Sequence, residues 1–70
     1  MNSTYTVAQN SIEFYRYSVR MLSQELWEET DPQWRMNLAL QLAEASTHLA
    51  RMEAEQFQSL QADLLKQLNQ

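Results

Sequence analysis

Thr30-Asp31-Pro32 holds the only proline of the chain, and no glycine occurs anywhere in its 70 residues. Proline carries no N–H, so it is tolerated in the first turn of a helix and disruptive further in. Its ring also pushes the preceding residue out of the right-handed helical region. Asp31 therefore reads as the N-cap of a helix with Pro32 at its first position, and any earlier helix must stop by Thr30. With glycine absent, nothing else in the chain interrupts helix so strongly. The tripeptide divides the sequence into two helical arms of unequal length, helix one over about 6–30 and helix two over about 32–69, joined by a corner at 30–32.

Upstream of the corner, Thr6 and Gln9 have the Thr-x-x-Gln spacing of a capping box, which predicts the start of helix one. From there Ala8, Ile12, Tyr15, Val19, Leu22 and Leu26 recur at steps of four and three. That is the seam of a coiled coil or helix bundle. Downstream, Leu38, Leu42, Ala45, Leu49 and Met52 repeat the same spacing, beside a small-residue stripe of Ala39, Ala43, Ser46, Ala50 and Ala54. After Met52 the apolar register shifts to Phe57, Leu60, Leu64 and Leu68, which reads as a stutter. A connection this short folds the two arms back on each other, so the expected fold is all-α: an antiparallel helical hairpin, a single domain over 1–70. A hairpin offers one internal seam, and the expectation is that it completes a four-helix bundle by dimerisation or by binding a partner. Trp27 and Trp34 flank the corner and are expected to close its end together.

The corner is off centre, and this has a consequence for binding. Helix one, at about 24 residues, spans about 36 Å, and helix two, at about 38, spans about 57 Å. Folding at Asp31 places Leu22 near Leu42, Tyr15 near Leu49 and Ile12 near Met52. Residues beyond about Ser59 then have no mate on helix one, yet Leu60, Leu64, Leu65 and Leu68 lie there. A patch of that size on one side of a helix marks either an interaction surface or a C-terminus frayed after Phe57.

Composition narrows the function classes. Nine acidic and five basic residues give a net charge of −4, which disfavours nucleic acid and anionic membranes as partners. Cysteine is absent, so disulfides and thiolate metal sites are excluded. No signal-peptide pattern and no membrane-spanning run is read, and the expected location is cytoplasmic. Without glycine there is no phosphate-cradling loop, and no nucleophile–base spacing stands out, so the chain reads as no enzyme and no cofactor is expected. His48, the only histidine, has Glu44 one turn before it and Glu55 two turns after. One helix supplying this set falls short of a bundle metal site, so His48 reads as a residue packed beside the seam. Glu25, Glu28, Glu29 and Asp31 crowd the corner, either as a tip for a basic partner or as acids drawn to the positive end of helix two. Arg16 and Arg20 sit one turn apart with Glu13 as a nearby counter-charge.

Candidate binding residues fall in two groups. Phe14, Tyr17 and Met21 form a second apolar face on helix one, and Phe57, Leu60, Leu64 and Leu68 form the overhang. Aromatic and methionine side chains are enriched in protein interfaces.

Three groups of helical hairpins bear on this plan. Ser23-Gln24-Glu25-Leu26 resembles the signature of the small hairpin phosphatases of sporulation signalling, but an aspartate follows there and Trp27 follows here, so the functional carboxylate is missing. The plan also resembles plasmid copy-control proteins that dimerise into RNA-binding bundles, whose basic face this chain lacks. Asp31-Pro32-Gln33 and the Leu/Ala run through Ser46 resemble the small co-chaperones of type III secretion needle subunits, which are similar in length, hairpin plan and Ala-rich second helix. That resemblance implies a non-enzymatic hairpin that binds another protein, and it transfers no residue role. The expected function is a protein-binding regulator, inhibitor or chaperone acting through helix–helix packing. The alternatives are a purely structural homo-oligomer or, less in keeping with the charge, an RNA-binding bundle.

Overall fold

The computed structural model describes residues 11–69, which form two helices and no strand. Helix α1 runs Ile12–Glu28 and helix α2 runs Pro32–Leu68. α2 starts as the corner sequence requires. Asp31 is extended, with φ −76° and ψ 122°, and its carboxylate accepts the Trp34 N–H at 2.8 Å, with Pro32 in the first turn. The helix then continues for 37 residues to Leu68, so it does not end after Phe57.

The start of α1 differs from expectation. Ser11 is extended, with φ −85° and ψ 164°, and its hydroxyl accepts the Phe14 N–H at 3.1 Å. An extended residue at 11 breaks any helix continuing from Thr6. Ser11 is therefore the cap of the described helix, and Thr6, Ala8 and Gln9 lie outside the described residues. Serine is at least as good a cap as threonine, and Glu13 in the first turn adds a favourable charge at the positive helix end.

α1 ends at Glu28 without a glycine. Glu29 exits in an extended conformation (φ −77°, ψ 135°), and its carboxylate accepts the Asp31 N–H at 3.0 Å. The last carbonyls of α1 are served from the other helix: Arg35 donates to the Leu26 carbonyl at 3.1 Å and to the Glu29 carbonyl at 2.7 Å. A cation at a helix C-terminus satisfies orphan acceptors and opposes the negative dipole end, here crowded by glutamates. Arg35 is thus the counter-charge that the acidic corner needs, supplied from within the chain.

Three cross-helix pairs give the direction of packing: Leu26 with Arg35, Tyr15 with His48, and Arg16 with Glu53. Tyr15 and Arg16 near the start of α1 meet His48 and Glu53, whereas Leu26 near its end meets Arg35 at the start of α2, so the helices are antiparallel. Tyr15 stacks on the His48 ring at 5.1 Å, one residue from the expected Tyr15–Leu49 level. The predicted seam is the one that closes. Leu38 (3% exposed) and Ala45 (8%) are buried, and Leu42, Leu49 and Met52 are half-buried against Ile12, Tyr15, Val19, Leu22 and Leu26. The molecule is 58 Å long and only 15 Å in its thinnest direction, a single layer of helices.

The expected closure of the corner by its two tryptophans is corrected. Trp27 is 87% exposed, and no ring contact joins it to Trp34. It follows the seam residue Leu26 directly, which turns it about 100° away from α2. Arg16 forms its ion pair with Glu53 across the seam, through Nε–Oε2 at 2.8 Å and Nη2–Oε1 at 3.1 Å, and Glu13 adds a weaker favourable charge. The fork geometry of the guanidinium suits two parallel bonds to one carboxylate.

Leu38→Ala, at the best-buried position of the seam, is expected to lower stability by about 2–4 kcal/mol, measured by urea unfolding followed by circular dichroism. The Arg16–Glu53 pair predicts a pH dependence. The Arg16 hydrogen bond holds the Glu53 carboxyl below its ordinary value of 4.5. Its contribution is therefore complete at neutral pH and is lost as pH falls from 4.5 through the lowered value. Glu53→Gln is expected to lower the melting temperature at pH 7 more than at pH 3; equal losses at both would contradict the pairing. Because both groups are exposed, 1 M salt is expected to shrink the difference.

Candidate functional site

A helix of 17 residues is about 25 Å long and one of 37 about 55 Å, so α2 outruns α1 by roughly 30 Å. Glu53 is the last α2 residue held by α1 through an ion pair. From Ala54 to Asn69 every residue is exposed. The overhang is therefore longer than the predicted one, which begins past Ser59, because α1 starts at Ile12 and not near Thr6.

Phe57, Leu60, Leu64 and Leu68 all stand exposed on this free segment, together with Leu65. They are the candidate residues that the structure brings together. The three on α1 are spread out. Tyr17 is exposed, whereas Phe14 and Met21 are half-buried. Phe14 sits edge-on to Tyr15, with ring centroids 5.2 Å apart and planes at 82°. It lines an open groove with Tyr15, Ser18, Leu22, Ala45 and His48, so it belongs to the rim of the internal seam more than to a second face.

The register shift after Met52 has a structural explanation different from a stutter in one seam. Phe57 lies five positions after Met52, about 140° around the helix. It continues a different stripe, the one through Ala50 and Ala54, which is exposed. The small-residue face is thus uncovered along most of its length; of its members only Ser46 is half-buried. Met36 and Leu40, also exposed, share this face and were not among the candidates. The signal for them was present in the sequence as steps of four and three from Met36 to Ala54, masked by the stronger Leu38–Met52 pattern two positions away.

The polar groups are occupied in structural roles. His48 is stacked on Tyr15 and has Nδ1 3.3 Å from the Arg51 guanidinium, which also bonds Glu55 at 3.6 Å. No group of three His, Asp or Glu residues suited to a metal ion occurs among the described residues. At the corner, Glu25, Glu28 and Glu29 line a shallow groove with Trp34 and Leu38. Asp31 is used in the cap and the Glu29 carboxylate on the Asp31 amide, so part of this acidity is consumed internally. No described helix is long and apolar enough to cross a membrane. The two grooves described are open, and the described helices present one closed seam and one long open apolar face, a geometry suited to packing against another helix. Comparison of the chain with protein families, with curated proteins and with solved structures gives no match.

Proposed function

We propose that the chain is a non-enzymatic protein-binding module, a small regulator or chaperone whose hairpin completes a helical bundle by packing α2 against another protein surface. The observation that carries this reading is the overhang: Phe57, Leu60, Leu64, Leu65 and Leu68 are all exposed on a helix that continues about 22 Å past Glu53, its last residue ion-paired to α1. Soluble proteins seldom leave an apolar patch of that extent unpaired. A helix laid alongside reads such a surface through anchors three and four residues apart. The half-buried seam supports the same reading, since two buried residues among those described make a thin core for a chain this small.

The test is Leu64→Asp, which places a carboxylate in the middle of the overhang while sparing the α1–α2 seam. Complexes recovered from the native host with the wild-type chain are expected to have a defined mass and protected amides over 57–68. The variant is expected to lose the association, with helicity by circular dichroism little changed. Retention of the same complex by Leu64→Asp, or a complex that leaves 57–68 unprotected, would overturn the reading.

A further inference from the structure

All of the large apolar side chains that α2 leaves exposed, Trp34 apart, fall on one side of it. Met36 and Leu40 begin the stripe, and Phe57, Leu64 and Leu68 end it, with Leu60 and Leu65 flanking. The middle is small: Ala43, Thr47, Ala50 and Ala54, all exposed. From Met36 to Leu68 the steps alternate four and three without a break, passing through Gln61, and no position of the series is charged. This is the spacing of a coiled-coil seam. Leu38, on the α1 side, stands about 200° around the helix from both Met36 and Leu40. α2 therefore carries two seams on opposite faces, one occupied by α1 and one open.

Resting on the helix-packing function proposed above, we infer that the occupant of the open seam is a second copy of this chain, its α2 antiparallel and the two-fold axis level with Met52. The stripe is symmetric about that point. In this register Ala50 meets Ala54 of the second copy, Thr47 meets Phe57, Ala43 meets Gln61, Leu40 meets Leu64 and Met36 meets Leu68. Three of the four small residues lie before Met52 and the large ones of the overhang lie after it, so reversal sets Phe57 and Gln61 against small residues. Facing positions of unequal size interdigitate at even helix separation. A parallel pair would stack Phe57 on Phe57 and Gln61 on Gln61 while leaving Ala43 and Thr47 facing themselves across a gap.

Three further observations fit this occupant. The Thr47 hydroxyl already donates to the Ala43 carbonyl at 2.9 Å, so it enters a dry seam without an unmet donor. The charges that flank the axis are paired inside each protomer, Arg51 with Glu55 and Glu53 with Arg16, which limits repulsion between like residues brought together there. The seven large side chains, each 54–70% exposed, retain roughly 100 Å² apiece. Two copies then bury on the order of 1,400 Å², inside the range of about 1,200–2,000 Å² typical of stable interfaces. Each overhang is covered by the hairpin half of the other copy, while both α1 helices stay outside.

Sedimentation equilibrium of the purified full chain at tens of micromolar is expected to give twice the 8.3 kDa protomer mass. Leu40→Asp, far from the overhang, is expected to weaken the dimer about 100-fold, as Leu64→Asp does, because each would bury an unpaired carboxylate against the other position. The chain has no cysteine, so single cysteines report register directly. Ala50→Cys mixed with Ala54→Cys is expected to oxidise to the mixed disulfide in large excess over either variant alone. Both replacements are small, and circular dichroism checks that the helices persist. A monomer across this concentration range, a dimer indifferent to Leu40→Asp, or efficient self-crosslinking of each cysteine variant alone would each overturn the inference. A monomeric outcome would leave the proposed protein-binding function standing, since that is judged on the complex from the native host.

Discussion

Leu38 and Ala45 are the only buried residues among those described, and both lie where α2 passes under α1. A pair of helices has a single shared seam, so the apolar area available to stabilise the hairpin is limited to one stripe on each partner. The remaining interactions are arranged around that limit. The Tyr15–His48 stack and the double Arg16–Glu53 bond extend the contact at the far end of α1, and the Arg35 bonds to Leu26 and Glu29 close it at the corner. These exposed polar contacts are individually weak. Their value lies in fixing the angle and register of two helices that otherwise touch through few side chains.

The corner shows how a chain without glycine reverses direction. Helices commonly end on a left-handed residue, a conformation that glycine adopts most easily. Here Glu29 and Asp31 both adopt extended geometry, a conformation open to any residue, and the unsatisfied groups are met by side chains. Asp31 takes the Trp34 amide, Glu29 takes the Asp31 amide, and Arg35 takes two carbonyls of α1. The acidity around the corner thus has an internal use that a search for a basic partner would overlook.

Inequality of the helices links this architecture to function. Since α1 covers only the first part of α2, the second part is exposed on every side, and its apolar residues continue a face that is open from Met36 onward. The open apolar stripe lies on the side of α2 opposite the closed seam, and the proposed association rests on it. That is a property of association; the polar side chains that might have suggested chemistry, His48 above all, are engaged in packing and capping.

The two helices, the reversal at Asp31-Pro32, the seam from Leu38 to Met52 and its pairing within one residue were all legible in the sequence. Each follows from local rules: proline geometry, side-chain capping and the 3.6-residue turn, which act along the chain and need no knowledge of its neighbours. The sequence reading placed the start of α1 at Thr6, whereas the described helix is capped by Ser11. Nor did it reveal that Arg16 reaches Glu53, that Arg35 serves α1, or that Trp27 turns outward, because these depend on the relative placement of two elements. The same holds for the open face. Periodicity marked the seam that α1 occupies, but that the stripe from Met36 and Leu40 to Phe57 stays uncovered was decided only when the helices packed, because one short helix can cover one side of a longer one and no more.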